Sequence, residues 1–544
     1  MNRLFYMLCA ALCLLIATPL SAVNHMDIIS ALTDDFNGAE FGASMVSMDF
    51  NGDGYQDLIV KSHKWNPTGV YNDNLWYGKI YFYWGGPGFD NVADFTIEGQ
   101  YHYHYGSNYG GGQLCNAGDM NGDGIDDLAI PAGVNESNDD KVVVFFGRAV
   151  PQSTPDIEVL YQGKQEFALR PLGDINGDGL ADLSIMYNGV NSHIDYTEVW
   201  DDVYGAPHIF RSSNNSISNL TGIGDINNDS YEDSYMSFAI NGLDFWERRI
   251  VIYYGDELYP MADSLVIMDY VTEFESDSRP VGDVNNDGYA DYIGFHANLW
   301  IGAIIPNPLP FCQLVYNTPY WEWYGINYGA FVMAVYGDFN IDGFDDIICS
   351  SHDVDGGAHG QAGLWLGGAN VNGTMDLRIY EPSNSYNMNF GFAKAAGDFN
   401  GDGLCDVAIS APYWGSGGSA LFSGKVFIFS GNTELADTTV ANEDELAPAI
   451  GDDLWQINLY PNPCPKANTT YNIELKGDAY QKHAEISYEL YNIKGQKLQS
   501  KSITTTDFDH KKIPVNTADL SSGIYLIAIR QQGRTVQTKR IAIY

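Results

Sequence analysis

Short apolar runs, separated by polar and glycine-rich stretches, fill most of this chain and have the character of β-strands. "LIVKSH", "LAIPA", "LSIMY", "YIGF", "IICSS" and "VAIS" are rich in β-branched residues, and their apolar positions lack helical spacing. Second runs follow further along, among them "KIYFYWGG", "KVVVFFG", "RRIVIYYG", "AGLWLGG" and "GKVFIFSG". They end in glycine, as strands that enter tight turns do. The pattern predicts an all-β fold.

An acidic nine-residue stretch precedes each of the first runs. The pattern D-x-N-x-D-[GS]-x-x-D occurs seven times, and its copies start 51 to 70 residues apart, which fits one four-stranded antiparallel unit per repeat. Seven such units are expected to close radially into a seven-bladed β-propeller, because closure leaves only short, protected edges. An open solenoid of the same units is the alternative. The copies start at Asp49, Asp119, Asp174, Asp225, Asp283, Asp338 and Asp398.

These acidic loops have the composition of a cation site. Side-chain oxygens at positions 1, 3, 5 and 9 and a backbone carbonyl at position 7 suit a hard cation, and glycine at position 6 permits the sharp turn. Calcium fits best, because magnesium demands a stricter octahedron. We expect up to seven Ca²⁺ ions with a mainly structural role. The predicted ligands are Asp49, Asn51, Asp53, Tyr55, Asp57; Asp119, Asn121, Asp123, Ile125, Asp127; Asp174, Asn176, Asp178, Leu180, Asp182; Asp225, Asn227, Asp229, Tyr231, Asp233; Asp283, Asn285, Asp287, Tyr289, Asp291; Asp338, Asn340, Asp342, Phe344, Asp346; and Asp398, Asn400, Asp402, Leu404, Asp406.

Other accounts of the acidic loops are weaker. One copy alone could be an Asp- and Asn-rich turn without a metal, but seven copies in register before strands are poorly explained in that way. A helix-loop-helix calcium site or a dockerin would place an acidic ligand at position 12 and flank the loop with helices. Here the ninth residue is always Asp, and a strand follows.

The first and last repeats resemble the integrin-alpha-type FG-GAP repeat. The last reads "FGFAKAAGDFNGDGLCDVAISAP" from Phe390 to Pro412, and the first reads "FGASMVSMDFNGDGYQDLIV" from Phe41. The resemblance implies a propeller with calcium in the loop that joins the first and second strands of each blade, on the bottom face. Repeats three, four and five lack a clear Phe-Gly, and the fourth has Ser230 where glycine is usual. The fourth site therefore departs furthest from the family pattern.

The connections expected on the opposite face are aromatic and polar, and the family analogy implies that this face binds ligands. Exposed Trp and Tyr on loops are typical of sugar and protein recognition. The aromatic residues could instead pack between blades, and loop histidines are often simply solvated. The candidates on this face are His63, Trp65, His102, His104, Trp321, Trp323, His352 and Trp414.

Net charge divides the chain into two parts. The total is −43, and residues 455–544 hold 12 Lys and Arg against 7 Asp and Glu, so the first 454 residues carry −48. So acidic a surface disfavours nucleic acid and anionic lipid as partners and favours cations. Cysteine is sparse and irregularly spaced, so a disulfide framework does not organise the fold.

The two ends of the chain carry targeting signals. Residues 1–22 have the apolar core and small-residue cleavage site of a secretory signal peptide, and no apolar segment that could span the membrane follows them. Residues 23–432 would form the propeller, 433–454 an acidic linker, and 455–544 a small β-sandwich. This last domain contains "YPNP", "YNIKGQ" and "LSSGIY", with Lys539-Arg540 before the final strand. It closely resembles the C-terminal sorting domain of type IX secretion, which implies export through that machinery, usually followed by removal of the tail and by surface attachment or release.

Together these features predict a secreted or cell-surface binding or adhesion module for an extracellular glycan or protein. An alternative is an extracellular polysaccharide lyase or hydrolase with His63, His102, His104 or His352 in acid–base roles. No nucleophile elbow, phosphate loop, zinc-helix motif or dinucleotide fingerprint supports an enzyme. A structural surface-layer component is a third possibility.

Overall fold

The fold is described here from a computed structural model. The described residues are 25–34, 36, 38–69, 76–100, 113–134, 137–161, 164–189, 195–202, 204–205, 207–211, 220–239, 248–256, 264–271, 279–294, 298–303, 311–314, 334–351, 360–369, 371–381, 389–415, 422–435, 456–460, 470–476, 486–492, 497–503, 513–516, 520, 523–531 and 534–543. The predicted signal peptide and most of the predicted linker lie outside them. The chain divides into two compact units, Met1–Asn442 and Glu443–Tyr544.

Every regular element in the described ranges is a strand, so the predicted all-β class is confirmed. Seven antiparallel sheets of four strands form the first unit, and each is one blade of a propeller. Blades 1 to 3 are β2 (Phe41–Met48), β3 (Asp57–Ser62), β4 (Lys79–Tyr83) and β5 (Phe95–Glu98); β6 (Cys115–Gly118), β7 (Asp127–Val134), β8 (Ser137–Phe145) and β9 (Ile157–Leu160); and β10 (Lys164–Gly173), β11 (Asp182–Gly189), β12 (Asp195–Trp200) and β13 (His208–Arg211).

The next three blades repeat this order. They are β14 (Thr221–Gly224), β15 (Asp233–Ala239), β16 (Arg248–Tyr253) and β17 (Ser264–Val271); β18 (Arg279–Gly282), β19 (Asp291–Gly294), β20 (Asn298–Trp300) and β21 (Cys312–Gln313); and β22 (Val335–Gly337), β23 (Asp346–Ser351), β24 (Gln361–Trp365) and β25 (Leu377–Ile379).

The seventh blade takes its outer strand from the other end of the chain. It contains β26 (Lys394–Gly397), β27 (Asp406–Ala411) and β28 (Lys425–Phe429), and β1 (Ile28–Thr33) pairs antiparallel with β28. The inner strands of blades 1 and 7 also meet, because the Ser47 hydroxyl donates to the Ala396 carbonyl at 2.7 Å. The ring is therefore closed, and the open solenoid is wrong.

Apolar residues of each second strand alternate between the two neighbouring blades. In β3, Leu58 and Val60 pack against blade 7, whereas Ile59 packs with Leu128 and Ile130 of blade 2. These second strands are buried on both faces, which explains why they appear in the sequence as continuous apolar runs rather than as alternating ones. The core of the propeller consists of these blade-to-blade layers.

The second unit contains two antiparallel sheets. The strands are β29 (Gln456–Tyr460), β30 (Thr470–Lys476), β31 (Ile486–Asn492), β32 (Lys497–Ile503), β33 (Ile513–Asn516), β34 (Gly523–Gln531) and β35 (Arg534–Ile543). The sheet orders are β29-β30-β33 and β32-β31-β34-β35. The four cysteines in the described ranges, Cys115, Cys312, Cys349 and Cys405, are free thiols.

Candidate functional site

All seven acidic loops connect the first and second strands of a blade. The ninth residue of each loop is the first residue of the second strand, and its carboxylate is fully buried in every blade. The second residue of each loop is apolar and buried, which anchors the loop in the layer between blades. In six loops the N–H of this second residue donates to the buried carboxylate at 2.9–3.0 Å. The ninth residues are Asp57, Asp127, Asp182, Asp233, Asp291, Asp346 and Asp406.

The first carboxylate of each loop organises the turn around itself. In the first loop, Oδ1 of Asp49 accepts from the N–H groups of Gly52 and Asp53 at 2.8 and 3.0 Å, and Oδ2 accepts from Gly54 at 2.8 Å. Asn51 and Asp53 each accept an N–H from two residues further on. Bonds from positions 5 and 6 to the first carboxylate recur in all seven loops. The repeated sequence thus folds into one repeated, oxygen-rich turn.

The buried ninth carboxylates are electrostatically unfavourable as anions. Burial raises the pKa of Asp57, Asp127 and Asp406 to about 7. The same cause raises the pKa of the four other ninth carboxyls to about 8. Carboxylates at position 5, and in six loops also at position 1, push these pKa values in the same direction. A cation in the loop would relieve both the burial and the repulsion.

Several buried oxygens at motif positions lack a hydrogen-bond donor. They are Oδ1 of Asp182, Oδ1 of Asn227 and both carboxylate oxygens of Asp406. Asp406 lies near the Phe399 N–H and Ser430, but neither makes a hydrogen bond of normal geometry with it. Unsatisfied buried acceptors are rare and call for a partner, so these residues fit a hard cation. Within the described ranges, however, no three His, Cys, Asp or Glu side chains are already gathered as metal ligands, since backbone N–H groups occupy the loop carboxylates.

Glycine at the end of the third strand completes the support of the ninth carboxylate. Gly85, Gly147, Gly255, Gly302 and Gly367 donate their N–H to it at 2.7–3.0 Å. A Cβ at any of these positions would lie under 3.0 Å from a backbone carbonyl oxygen of the loop. Blade 3 has Asp202 at this point of the chain, and there Oδ1 of Asp182 lacks the bond. These glycines therefore allow the end of the third strand to approach the acidic loop closely. The sequence pattern alone attributed them to tight turns.

Backbone hydrogen bonds connect each acidic loop to the next blade. The carbonyl of the second loop residue accepts from the third residue after the third strand of the next blade, at 2.7–3.0 Å, at six of the seven junctions. The junction between blades 7 and 1 is among them, where Gly86 donates to Phe399 at 2.9 Å. The loops thus form a hydrogen-bonded ring at one end of the propeller.

The fourth loop keeps this geometry despite its serine. Ser230 adopts a φ of 78°, where glycine is normally preferred, and its N–H donates to Asp225 at 2.8 Å. Asp229 accepts from Tyr231 at 3.0 Å, as in the other loops.

Three of the eight candidates for the ligand face lie in the described ranges. His63 is partly buried, and its Nε2 lies 3.3 Å from Glu40, while burial lowers its pKa to about 3. Trp65 is partly buried with the Lys79 ammonium 5.1 Å from its ring centre. Trp414 packs against Phe427 at 5.4 Å. Outside the described residues are His102, His104, Trp321, Trp323 and His352.

Comparisons with known proteins agree with the repeats and with the tail. The FG-GAP repeat family matches residues 390–429, which contain the seventh acidic loop, and the secretion system C-terminal sorting domain family matches residues 458–544. The seventh blade thus contains an FG-GAP repeat, and the C-terminal part of the chain is a secretion sorting domain. The sorting domain indicates type IX export, to the cell surface or into the medium. In the described part of the chain there is no helix with the length and apolarity needed to cross a membrane.

The FG-GAP propeller is also similar to integrin alpha subunits. Integrin alpha-4 of Xenopus laevis is 29% identical over 159 residues, and integrin alpha pat-2 of Caenorhabditis elegans is 29% identical over 153 residues. Each match covers 27% of this chain, and only 14% and 12% of those relatives. The likeness therefore concerns about a quarter of this chain and a smaller share of each relative.

Solved structures give weaker likenesses. Dimeric latent PorU from Porphyromonas gingivalis has a TM-score of 0.15 at 11% identity and covers 77% of this chain and 31% of its own. The V. cholerae biofilm matrix protein Bap1 has a TM-score of 0.19 at 12% identity and covers 96% and 82%. Scores this low support no inference about fold or function.

Proposed function

We propose that this protein is an extracellular binding or adhesion module whose calcium-loaded loops hold the propeller together while the opposite face engages a glycan or protein ligand. The hydrogen-bonded ring of acidic loops is the observation that carries this proposal. A site that is repeated in all seven blades and hydrogen-bonded across the blade junctions is expected to stabilise the fold rather than to bind a ligand. Ligand recognition is therefore expected at the other end of the blades.

Calcium is supported by the chemistry of the loops. Integrin-alpha-like FG-GAP propellers generally bind divalent cations, and all the ligand atoms here would be oxygens. In each loop the side chains at positions 1, 3, 5 and 9 and the carbonyl at position 7 would hold the ion. Asp406 is the best-suited ninth residue, because both of its buried oxygens lack a bonded donor. A bound Ca²⁺ would supply the positive charge that these carboxylates lack.

Binding is tested with the calcium-loaded, full-length protein on an array that contains extracellular glycans and matrix proteins. We expect saturable binding to a ligand class without turnover, and weaker binding after a change on the face opposite the loops, such as Trp65→Ala. Asp90→Asn, an exposed change elsewhere in blade 1, is the control. No binding to any glycan or protein, or equal binding by the Trp65 variant and the control, would count against the proposed face.

The enzymatic alternative is less well supported. His63 pairs with Glu40 as a histidine–carboxylate couple, which is a feature of acid–base sites. Burial lowers the His63 pKa to about 3, far from the neutral range in which such a base operates. Release of unsaturated or reducing sugar that is lost on His63→Ala would favour this alternative over simple binding.

A further inference from the structure

Basic residues recur at one position of the inner strands, which line the axis of the propeller. Arg170, Arg279 and Lys394 each lie four residues before the first Asp of an acidic loop. They belong to β10, β18 and β26, the inner strands of blades 3, 5 and 7. We call these three residues the channel cations.

The channel cations lie at nearly one height along the axis. Arg170 pairs with Ser184 and Arg279 with Ile293, in each case two residues beyond the buried ninth carboxylate of the blade. Lys394 pairs three residues beyond it, with Ile409. Arg279 and Lys394 are also the first residues of their strands, whereas the acidic loops follow the last residues. Arg170, by contrast, is the seventh of the ten residues of β10, so the channel cations lie two to three residue positions from the buried ninth carboxylates rather than at the far end of the channel.

Arg170 and Arg279 both act electrostatically on Cys115 of blade 2, whereas Lys394 is almost fully buried. The guanidinium of Arg170 donates to Gln113, which precedes the inner strand of blade 2, at 3.3 Å. The Arg279 charge acts on Cys115 of blade 2 and on Lys394 of blade 7, so it lies within electrostatic reach of both sides of the ring. Arg170 and Arg279 are partly exposed, as groups that line an open channel would be.

Among the described residues, the hydrogen-bond partners of the Lys394 ammonium group carry no charge. The group donates to the Ser350 hydroxyl and to the Gly391 carbonyl, both neutral. Burial lowers the pKa of Lys394 to about 7; the neighbouring Cys349 opposes this shift, and the Arg279 charge adds to it. A buried cation among neutral groups is costly unless an anion joins it.

The inner strands are basic, whereas the chain as a whole is strongly acidic. The seven inner strands contain Lys164, Arg170, Arg279 and Lys394, but Glu166 is their one acidic residue. The whole chain carries a net charge of −43. A basic cluster inside so acidic a protein cannot be explained as a general surface property.

We propose that the channel cations bind an oxyanion, a carboxylate or sulfate group carried by an acidic saccharide that enters the channel from the face opposite the acidic loops. This inference rests on the proposed binding function and specifies the chemical class of its ligand. Guanidinium groups suit planar carboxylates and tetrahedral sulfates, because they donate two parallel hydrogen bonds.

The test is titration calorimetry on the full-length, calcium-loaded protein with sodium sulfate, sodium glucuronate and neutral glucose as probes. We expect one sulfate or one glucuronate per protein, with the two anions competing and glucose silent. Arg279→Gln and Arg170→Gln should each weaken both anions by about tenfold, as expected for loss of a charge-assisted hydrogen bond. Arg148→Gln removes the same charge from the ion pair with Asp156 on blade 2 and should leave the affinity unchanged.

The results that would support the channel site differ from those that would overturn it. Absence of any bound anion, or equal weakening by the Arg148 control, would overturn the channel site. If one arginine variant misfolds, the other still tests the site, because competition in the wild type shows only that the two anions share a site. Anion binding that depends on Arg170 and Arg279, with no glycan or protein bound on the array, would uphold the site and refute the proposed function.

Discussion

The ninth carboxylate of each acidic loop depends on a glycine that is distant in sequence. In blade 1, Gly85 donates its N–H to Asp57 at 2.9 Å, and a Cβ there would meet the Gln56 carbonyl oxygen. The Asp57 side chain and the Gly85 backbone must approach this closely because the loop, the second strand and the third strand meet at this point.

We expect Gly85→Ala to destabilise the protein by about 2 kcal/mol or more, because the new methyl group can be accommodated only if the backbone shifts. Gly88→Ala, three residues on in the same turn, is the matched control, since a Cβ there has open space. Chemical denaturation measures both variants. A Gly85 variant as stable as the Gly88 variant would contradict the close approach.

Calcium stabilisation should increase with pH. The ninth carboxyls have pKa values of about 7 to 8 in the fold without metal, against 3.8 as the ordinary value. The metal-free fold therefore holds more protons than the unfolded chain between these values, and it loses stability as pH rises towards 8. Bound calcium favours the ionised carboxylates, so this loss is offset.

Melting in chelator and in calcium from about pH 6 to about pH 8 tests this linkage. The expected result is a Tm difference that widens with pH, mainly through the chelated sample. A difference that stays constant, or narrows, would show that the buried carboxyls do not control cation binding.

At the residue scale, the sequence predicted the local structure best where the same residue pattern recurs. The seven-fold pattern predicted loops that the structure places between the first and second strands, since an acidic turn before an apolar run has few other uses. It did not reveal that the strand-end glycines support the ninth carboxylate, because that approach joins residues about 30 apart in blade 1. Nor did it predict the pairing of His63 with Glu40, because these residues lie 23 positions apart in the chain and meet only in the fold.

At the element scale, the first strand closes the ring. Leu32 of β1 is fully buried opposite Val426 of β28, and Asp34, just after the strand, accepts hydrogen bonds from Ser62 and Tyr81 of blade 1. The N-terminal strand thus joins the last blade to the first. Repeat counting could not predict this exchange, because "IISALT" precedes the first acidic loop and its partner lies almost 400 residues later.

Leu32→Ala should lower the free energy of unfolding of the propeller by about 2–5 kcal/mol, the usual cost of a cavity at a buried leucine. Ile29→Ala, in the same strand but 40% exposed, should change it by less than about 0.5 kcal/mol. Urea denaturation distinguishes the two. Equal effects would mean that β1 is not part of the closed blade.

Neighbouring acidic loops are joined by side chains as well as by backbone. Asn228 donates to the Gly288 carbonyl of the fifth loop, and Asn286 to the Gly343 carbonyl of the sixth, each at 3.0 Å. Both asparagines adopt a positive φ at the fourth position of their loop. An ion that orders one loop therefore acts on its neighbour too.

At the scale of the whole molecule, the described charges are unevenly distributed over the propeller. One end carries the ring of acidic loops, whereas the channel cations lie on the inner strands, although the protein is strongly acidic as a whole. The sequence predicted the closed seven-bladed architecture from repeat number and spacing. It did not predict the channel cations, because residues more than 50 positions apart come together only when the ring closes.

The most direct test of this account is the melting temperature of the full-length protein in calcium and after chelation. A tenfold excess of Ca²⁺ over its Kd stabilises each loop by roughly 1.4 kcal/mol, or on the order of 10 kcal/mol over seven loops, as much as the whole stability of a typical domain. We predict a large fall of the propeller Tm in EDTA that is restored by added calcium. An unchanged melting curve in EDTA would contradict the account.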